Sequence, residues 1–312
     1  MNLIDLHQDL AFSSQRQDVI HGSGQSSVDM LSSLGNAMVF SVVFPHIYTE
    51  NERAEELSRN YGFRTQSSAP LVQVAMEQFK FYYYLERTGR VRIVRNVEDT
   101  SSCGLLFLIS MEGTDVLTDP YDLDLYYNLG LRNLGITWNY DTKFGSSCMS
   151  KVDYGLTGYG TELVERCNSL GIIVDLAHAS KRTVLDTCSV TGRPVICSHA
   201  NAASVHRHVR NLDDEEIEAI VDTGGVIGIT AITSTLGPSA SMDDMVKHAE
   251  YIGNNFGWEH VAIGSDFLGI EKTPSGFEDV TKYGKLRERL GTHADQVMWS
   301  NALRVITENL RS

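Results

Sequence analysis

Eight short runs rich in Val, Ile and Leu recur along the 312 residues, and they limit the possible folds more than any other feature. They are NLIDLH (2–7), AMVFSVVF (37–44), LLFLIS (105–110), LRNLGITW (131–138), GIIVDLAH (171–178), PVICSH (194–199), GVIGIT (225–230) and HVAIGSD (260–266). Continuous rather than alternating apolarity is the pattern of parallel strands buried on both faces. Between the runs lie segments with apolar residues at helical spacing, among them PLVQVAMEQFKFYYYLERTG, TGYGTELVERCNSLG, NLDDEEIEAIVDTGG and SMDDMVKHAEYIGNNFG. Lys272 to Leu290 reads as loop plus helix, and THADQVMWSNALRVITENL as a last helix. Eight parallel strands separated by helices make a closed (β/α)8 TIM barrel. With no linker or repeat to divide the chain, the expectation is a single domain over 1–312. A helical excursion at about 51–90 separates the second run from the third.

Charge narrows the partners. Asp and Glu outnumber Lys and Arg by 40 to 26, and the net charge of −14 is spread along the chain. That distribution argues against nucleic acid or an anionic membrane as the main partner. The five cysteines (Cys103, Cys148, Cys167, Cys188 and Cys197) are odd in number and lack CxxC spacing, as reduced thiols in a cytoplasmic protein would. No apolar leader with a basic start and no run of transmembrane length is visible, so a soluble protein with a small-molecule substrate is expected.

The ends of the strands carry the chemistry. The first run ends in His7 and Asp9, the third leads into SMEGTD with Glu112, and the fifth ends in DLAHAS with His178. The sixth ends in CSHANA with His199 and the eighth in GSDF with Asp266. In a barrel of this kind the site lies at the carboxyl ends of the strands. Three imidazoles and three carboxylates gathered there repel and desolvate one another, a penalty best offset by divalent cations. The donor set suits zinc, with manganese, iron or cobalt as alternatives. Six candidates exceed one closed site, so a two-metal centre bridged by Glu112 is the economical reading.

In this order, DLHQDL, SMEGTD, DLAHAS, CSHANA, HVRNLDDEE, HVAIGSDF and WSNALRV make the sequence resemble the membrane (renal) dipeptidases and their bacterial relatives, in the amidohydrolase superfamily. The resemblance covers nearly the whole chain and implies a (β/α)8 barrel with a binuclear zinc centre that hydrolyses dipeptides through metal-bound hydroxide. It implies His7, Asp9 and Glu112 on one metal and Glu112, His178 and His199 on the other. Asp266 would shuttle the proton of the bridging water, and Arg210 would grip the substrate's free carboxylate, to which a planar guanidinium is suited. A homodimer is also suggested.

Three positions depart from the family's pattern. Trp138 stands where a histidine is usual, Leu268 replaces a second Asp after Asp266, and Ser300-Asn301 replaces Gly-Asn. Trp138 and Asn139 are expected to line the substrate pocket, with the Trp138 N–H, Asn139, Tyr140 or Lys143 as donor in the missing histidine's place. His206 and His208 are read as surface or supporting residues, His248 and His260 as structural. The function expected is dipeptide hydrolysis. Its rivals are hydrolysis of a non-peptide amide, such as an N-acyl amino acid or lactam, and a catalytically silent metabolite-binding barrel.

Overall fold

The computed structural model describes residues 1–46 and 69–311. Among the described residues, nine parallel strands form one sheet: β1 (Asn2–Gln8), β2 (Asn36–Val43), β3 (Arg92–Ile93), β4 (Leu105–Glu112), β5 (Leu131–Gly135), β6 (Ile173–Asp175), β7 (Ile196–Cys197), β8 (Val226–Ile229) and β9 (Val261–Ile263). Eight of them follow one another around a barrel, while β3 only flanks the start of β4. The ring comes together where the Asp266 N–H donates to the His7 carbonyl and the Asp9 N–H to that of Phe267, each at 3.1 Å. Every expected apolar run overlaps one of the eight barrel strands, so the TIM barrel holds. The unexpected β3 is two residues long.

Two apolar layers support the ring. Ile4, Leu6, Met38, Phe40, Leu106, Leu108, Ile173, Ile196 and Ala262 form one buried cluster, to which the last helix adds Ala302, Val305 and Ile306. That helix sits across the mouth where strands begin. Asn301 donates to the Val261 carbonyl, Arg304 to that of Gly224 and Asn309 to that of Pro194, the residues that open or precede β9, β8 and β7. The alternate strand residues, with Val39, Phe107, Ile109 and Val174 among them, pack outward against the surrounding helices.

The longer helices are α1 (Ala69–Arg87), α2 (Gly158–Leu170), α3 (Lys181–Val190), α4 (Asp214–Asp222), α5 (Met242–Phe256), α6 (Tyr283–Leu290) and α7 (Asn301–Asn309). Within the expected excursion at about 51–90, α1 accounts for 69–87, and 51–68 lies outside the described residues. Helix α2 stops at Gly171, whose φ of +79° closes the helix in the left-handed region. Among the described residues no helix is long and apolar enough to cross a membrane.

One carboxylate ties the end of β1 to the end of β9. Asp5 is fully buried and accepts hydrogen bonds from the Ser265 N–H (2.8 Å), the Ser265 hydroxyl (2.6 Å), Gln8 Nε2 (2.6 Å) and the Tyr283 hydroxyl (2.5 Å). This anchor lies beneath His7 and Asp266. Tyr283→Phe deletes one donor to a buried carboxylate, and such losses destabilise by about 1–3 kcal/mol. Urea unfolding of the variant should show a loss of that size, and an unchanged midpoint would mean Asp5 does not depend on this hydroxyl.

Candidate metal centre

A local irregularity aims His7. Asp5 pairs with Val39 and Gln8 with Ser41, so three steps on β1 face two on β2. Such a bulge re-aims side chains. Ile4 and Leu6 face the apolar interior, yet His7 also reaches the centre, which plain alternation from Leu6 would forbid. Asp9 follows just past the strand, with its Oδ2 at 3.4 Å from His7 Nε2.

Two other turns are held in the left-handed region. His178 has φ +64° and Asp266 has φ +62°, unusual for residues other than glycine. Beneath His178, Asp175 Oδ1 accepts from the Ala177 N–H (3.0 Å) and from the Ser198 N–H (2.9 Å), binding the ends of β6 and β7 together. Directly after His178, the Ser180 side chain caps α3 by accepting from the Thr183 N–H. Gly269 leaves room on the opposite side, since a Cβ there would lie 2.4 Å from Asp9 Oδ2 and 2.6 Å from Asp266 Oδ1.

These supports gather six side chains. Glu112 Oε1 lies 3.0 Å from His178 Nε2, 3.5 Å from His199 Nε2 and 3.8 Å from His7 Nε2. His7 Nε2 is also 3.7 Å from Asp266 Oδ1, and the Nε2 atoms of His178 and His199 face each other at 2.9 Å. All six residues are buried or nearly so. The ring nitrogens on the far sides have partners of their own: His178 Nδ1 meets Asn139 Oδ1 at 2.8 Å, and His199 Nδ1 meets Ser198 Oγ at 2.8 Å. Because an amide oxygen only accepts, His178 carries its proton on Nδ1 and presents a lone pair at Nε2.

The electrostatics are those of a centre short of positive charge. Burial drives the pKa values of His178 and His199 well below the ordinary imidazole range, which keeps them neutral. It pushes Glu112 up to about 8 and Asp266 up to about 7. On His7 burial also opposes charge, but the carboxylates of Glu112 and Asp9 prevail and raise it to about 10. Among the described residues neither ring nitrogen of His7 makes a well-formed hydrogen bond in its buried setting, Asp9 Oδ2 lying 3.4 Å from Nε2. Converging lone pairs and carboxylate oxygens, with an orphaned imidazole among them, fit divalent cations. His7, Asp9 and Asp266 form one close triad, and His7, Glu112 and His199 another.

The remaining expected residues lie around this cluster. Arg210 donates to the His199 carbonyl at 3.4 Å, and its own N–H is accepted by His208 Nδ1 at 3.1 Å. Trp138 is half-buried, edge-on to Phe44 at 4.9 Å and 6.3 Å from the His178 ring. Asn139 commits its oxygen to His178. Lys143 turns away to the Thr118 carbonyl, and Tyr140 packs on Trp138 at 5.1 Å. His248 and His260 are structural, binding the Ala202 N–H and the Gly225 carbonyl. Asn301 holds the start of β9, and Leu268 is buried at φ +72°.

The sequence contains one further histidine at this rim that its motifs did not single out. His46 follows β2 by three residues, contacts the Glu112 carbonyl at 3.3 Å and stacks near Trp138 at 4.9 Å. The signal was available, since this is another histidine just past a strand end.

A sequence model described as membrane dipeptidase (peptidase family M19) matches residues 1–311. The chain belongs to the membrane dipeptidase family. Among curated proteins it is 38% identical over 195 residues to an uncharacterized dipeptidase of Schizosaccharomyces pombe, covering 58% of this chain and 47% of that one. It is 33% identical over 205 residues to the dipeptidase verJ of Clonostachys rogersoniana, covering 64% and 53%. The chain thus matches about half the length of these two relatives. Two solved structures share the fold over nearly their whole length. One is dipeptidase AC, a metallopeptidase of this family (TM-score 0.86, 23% identity, 100% and 99% covered). The other is a metallopeptidase from Rhodobacter sphaeroides with a phosphinate mimic of L-Ala-D-Ala (TM-score 0.84, 22% identity, 99% of each chain).

Removing the partner that orients an imidazole typically weakens metal affinity by about 10–100-fold. Asn139→Ala should therefore lower the affinity for zinc by that factor in competition with a chromogenic chelator. An unchanged affinity would mean that the hydrogen bond to His178 does not orient the ring.

Proposed function

We propose that this family member is a zinc-dependent dipeptidase that hydrolyses the peptide bond of small dipeptides. The observation that carries the reading is the facing pair of His178 and His199 Nε2 atoms beside Glu112 Oε1, with Arg210 at the rim of the same cluster. His7, Asp9 and Glu112 would hold one cation, and Glu112, His178 and His199 a second. Such a pair supplies an activated water and polarises the carbonyl under attack.

The chain's own groups supply the rest. Arg210 offers a planar fork to the C-terminal carboxylate, which fixes the scissile bond at a set distance from the cluster and favours short substrates. Asp266, whose Oδ1 lies among the ligands, takes up a proton and returns it to the departing amine. Its burial and raised pKa suit a group that must both accept and donate near neutral pH. Trp138, with Phe44 and His46 behind it, forms an apolar wall that narrows the pocket. Five free thiols accord with a cytoplasmic setting.

The deciding experiment is a panel of L,L-, L,D- and D,D-dipeptides beside N-acyl amino acids, assayed on metal-reconstituted protein. Turnover of dipeptides is expected, and activity confined to the N-acyl compounds would replace the reading with a non-peptide amidase. Glu112→Gln should lose most of the bound metal. Asp266→Asn should keep it and lose turnover by about 10²–10⁴-fold, and the opposite behaviour would reverse the two roles. Amidating a good substrate should weaken it as much as Arg210→Ala does, with little further loss when both changes are combined. Additive penalties would put the carboxylate contact elsewhere.

A further inference from the structure

A cavity of about 240 Å³ opens beside His178 and Arg210. Its lining includes Cys148, Leu176, Cys197 and Lys181 as well as Glu216, in the first turn of α4. If Arg210 holds the substrate carboxylate, as the dipeptidase reading requires, the α-carbon attached to that carboxylate lies next to this space. The side chain of the C-terminal residue then has the cavity as its neighbouring free volume.

Glu216 is an unusual residue to find there. As the third residue of a capping box, its Oε2 accepts from the Asp213 N–H at 2.9 Å while Asp213 accepts from the Glu216 N–H at 3.1 Å. Capping needs only one oxygen and works equally well at an exposed helix end. Here the residue is only 7% exposed, and burial pushes its pKa up to about 7. Among the described residues no donor meets its other oxygen. The nearby Lys181 ammonium is taken up by Asp213 at 2.6 Å and Glu215 at 2.7 Å. Asp153, also on the cavity, already accepts from Ser146, Ser180 and the Arg182 N–H. The cavity, whose lining mixes Leu176, Val209 and two thiols with serines, Asp153 and Lys181, therefore offers at Glu216 a carboxylate oxygen that no donor of the described residues occupies.

We propose that this cavity receives the side chain of the substrate's C-terminal residue and that Glu216 selects a basic one. The methylene stem would pack along the accessible wall at Cys148 and Val209, and the ammonium would meet the free oxygen of Glu216. A buried carboxylate gains more from such a partner than an exposed one does, because little water competes.

The test compares Ala-Lys with Ala-norleucine, which matches the stem but lacks the ammonium, and with Ala-Ala. On metal-reconstituted enzyme, kcat/KM for Ala-Lys should exceed that for Ala-norleucine by at least about tenfold, the order expected of one hydrogen bond between charged groups. Glu216→Gln keeps an oxygen for the Asp213 N–H but carries no charge, so the Lys-to-norleucine ratio should fall toward one. Calorimetry should likewise find that free lysine binds more tightly than norleucine. A wild-type ratio at or below one overturns the proposal without any variant, and so does a ratio unchanged in Glu216→Gln. Cleavage of Ala-Ala without a preference for Ala-Lys overturns the assignment of Glu216 alone. Failure to cleave any dipeptide overturns the dipeptidase reading along with it.

Discussion

Everything at the upper rim of this barrel answers to one constraint: carboxylate oxygens and imidazole lone pairs are brought together where little water can reach them. His178 and His199 present Nε2 to each other at 2.9 Å beside Glu112 Oε1. Burial keeps both rings neutral, so neither can supply the positive charge that the carboxylates lack. An arrangement of this kind is unfavourable by itself, since unpaired buried ions and polar atoms cost several kcal/mol each. It is well matched to divalent cations, which is why the metal reading organises the rest of the account.

The scaffold offsets this tension from below. Asp5 and Asp175 each take two backbone N–H groups on one oxygen, one from two residues further along the chain and one from just past the end of a neighbouring strand. They lock β1 to β9 and β6 to β7 just beneath His7, Asp266, His178 and His199. Residues held at positive φ, His178 and Asp266, are over-determined by these bonds and by the cap of α3. Strain confined to a functional rim and braced by the layer beneath is a common division in enzymes.

Much of this was legible in the sequence, for a physical reason. Strands buried on both faces must be apolar throughout, so the eight runs stand out, and the costly polar residues at their ends point to a site. The strand ends were less legible. The run 171–178 yields a strand only over Ile173–Asp175, because the Asp175 side chain binds the Ala177 N–H and turns the chain early. The bulge in β1 and the two-residue β3 leave no periodic trace. Glu216 looked like an ordinary acidic helix start, and only the packing of α4 against the barrel reveals its burial. His46 lay beyond the motifs, although its position past β2 repeats the pattern of the other histidines.

Two cations held by the clustered charges are the proposal on which the functional reading rests. Elemental analysis of the purified chain, after saturation with zinc and removal of loosely bound ion, addresses it without any assumption about substrate. Close to two equivalents per chain are expected, falling sharply in Glu112→Gln, whose Oε1 lies within 3.8 Å of His7, His178 and His199. A chain that retains no metal and gains no thermal stability on zinc addition would contradict it.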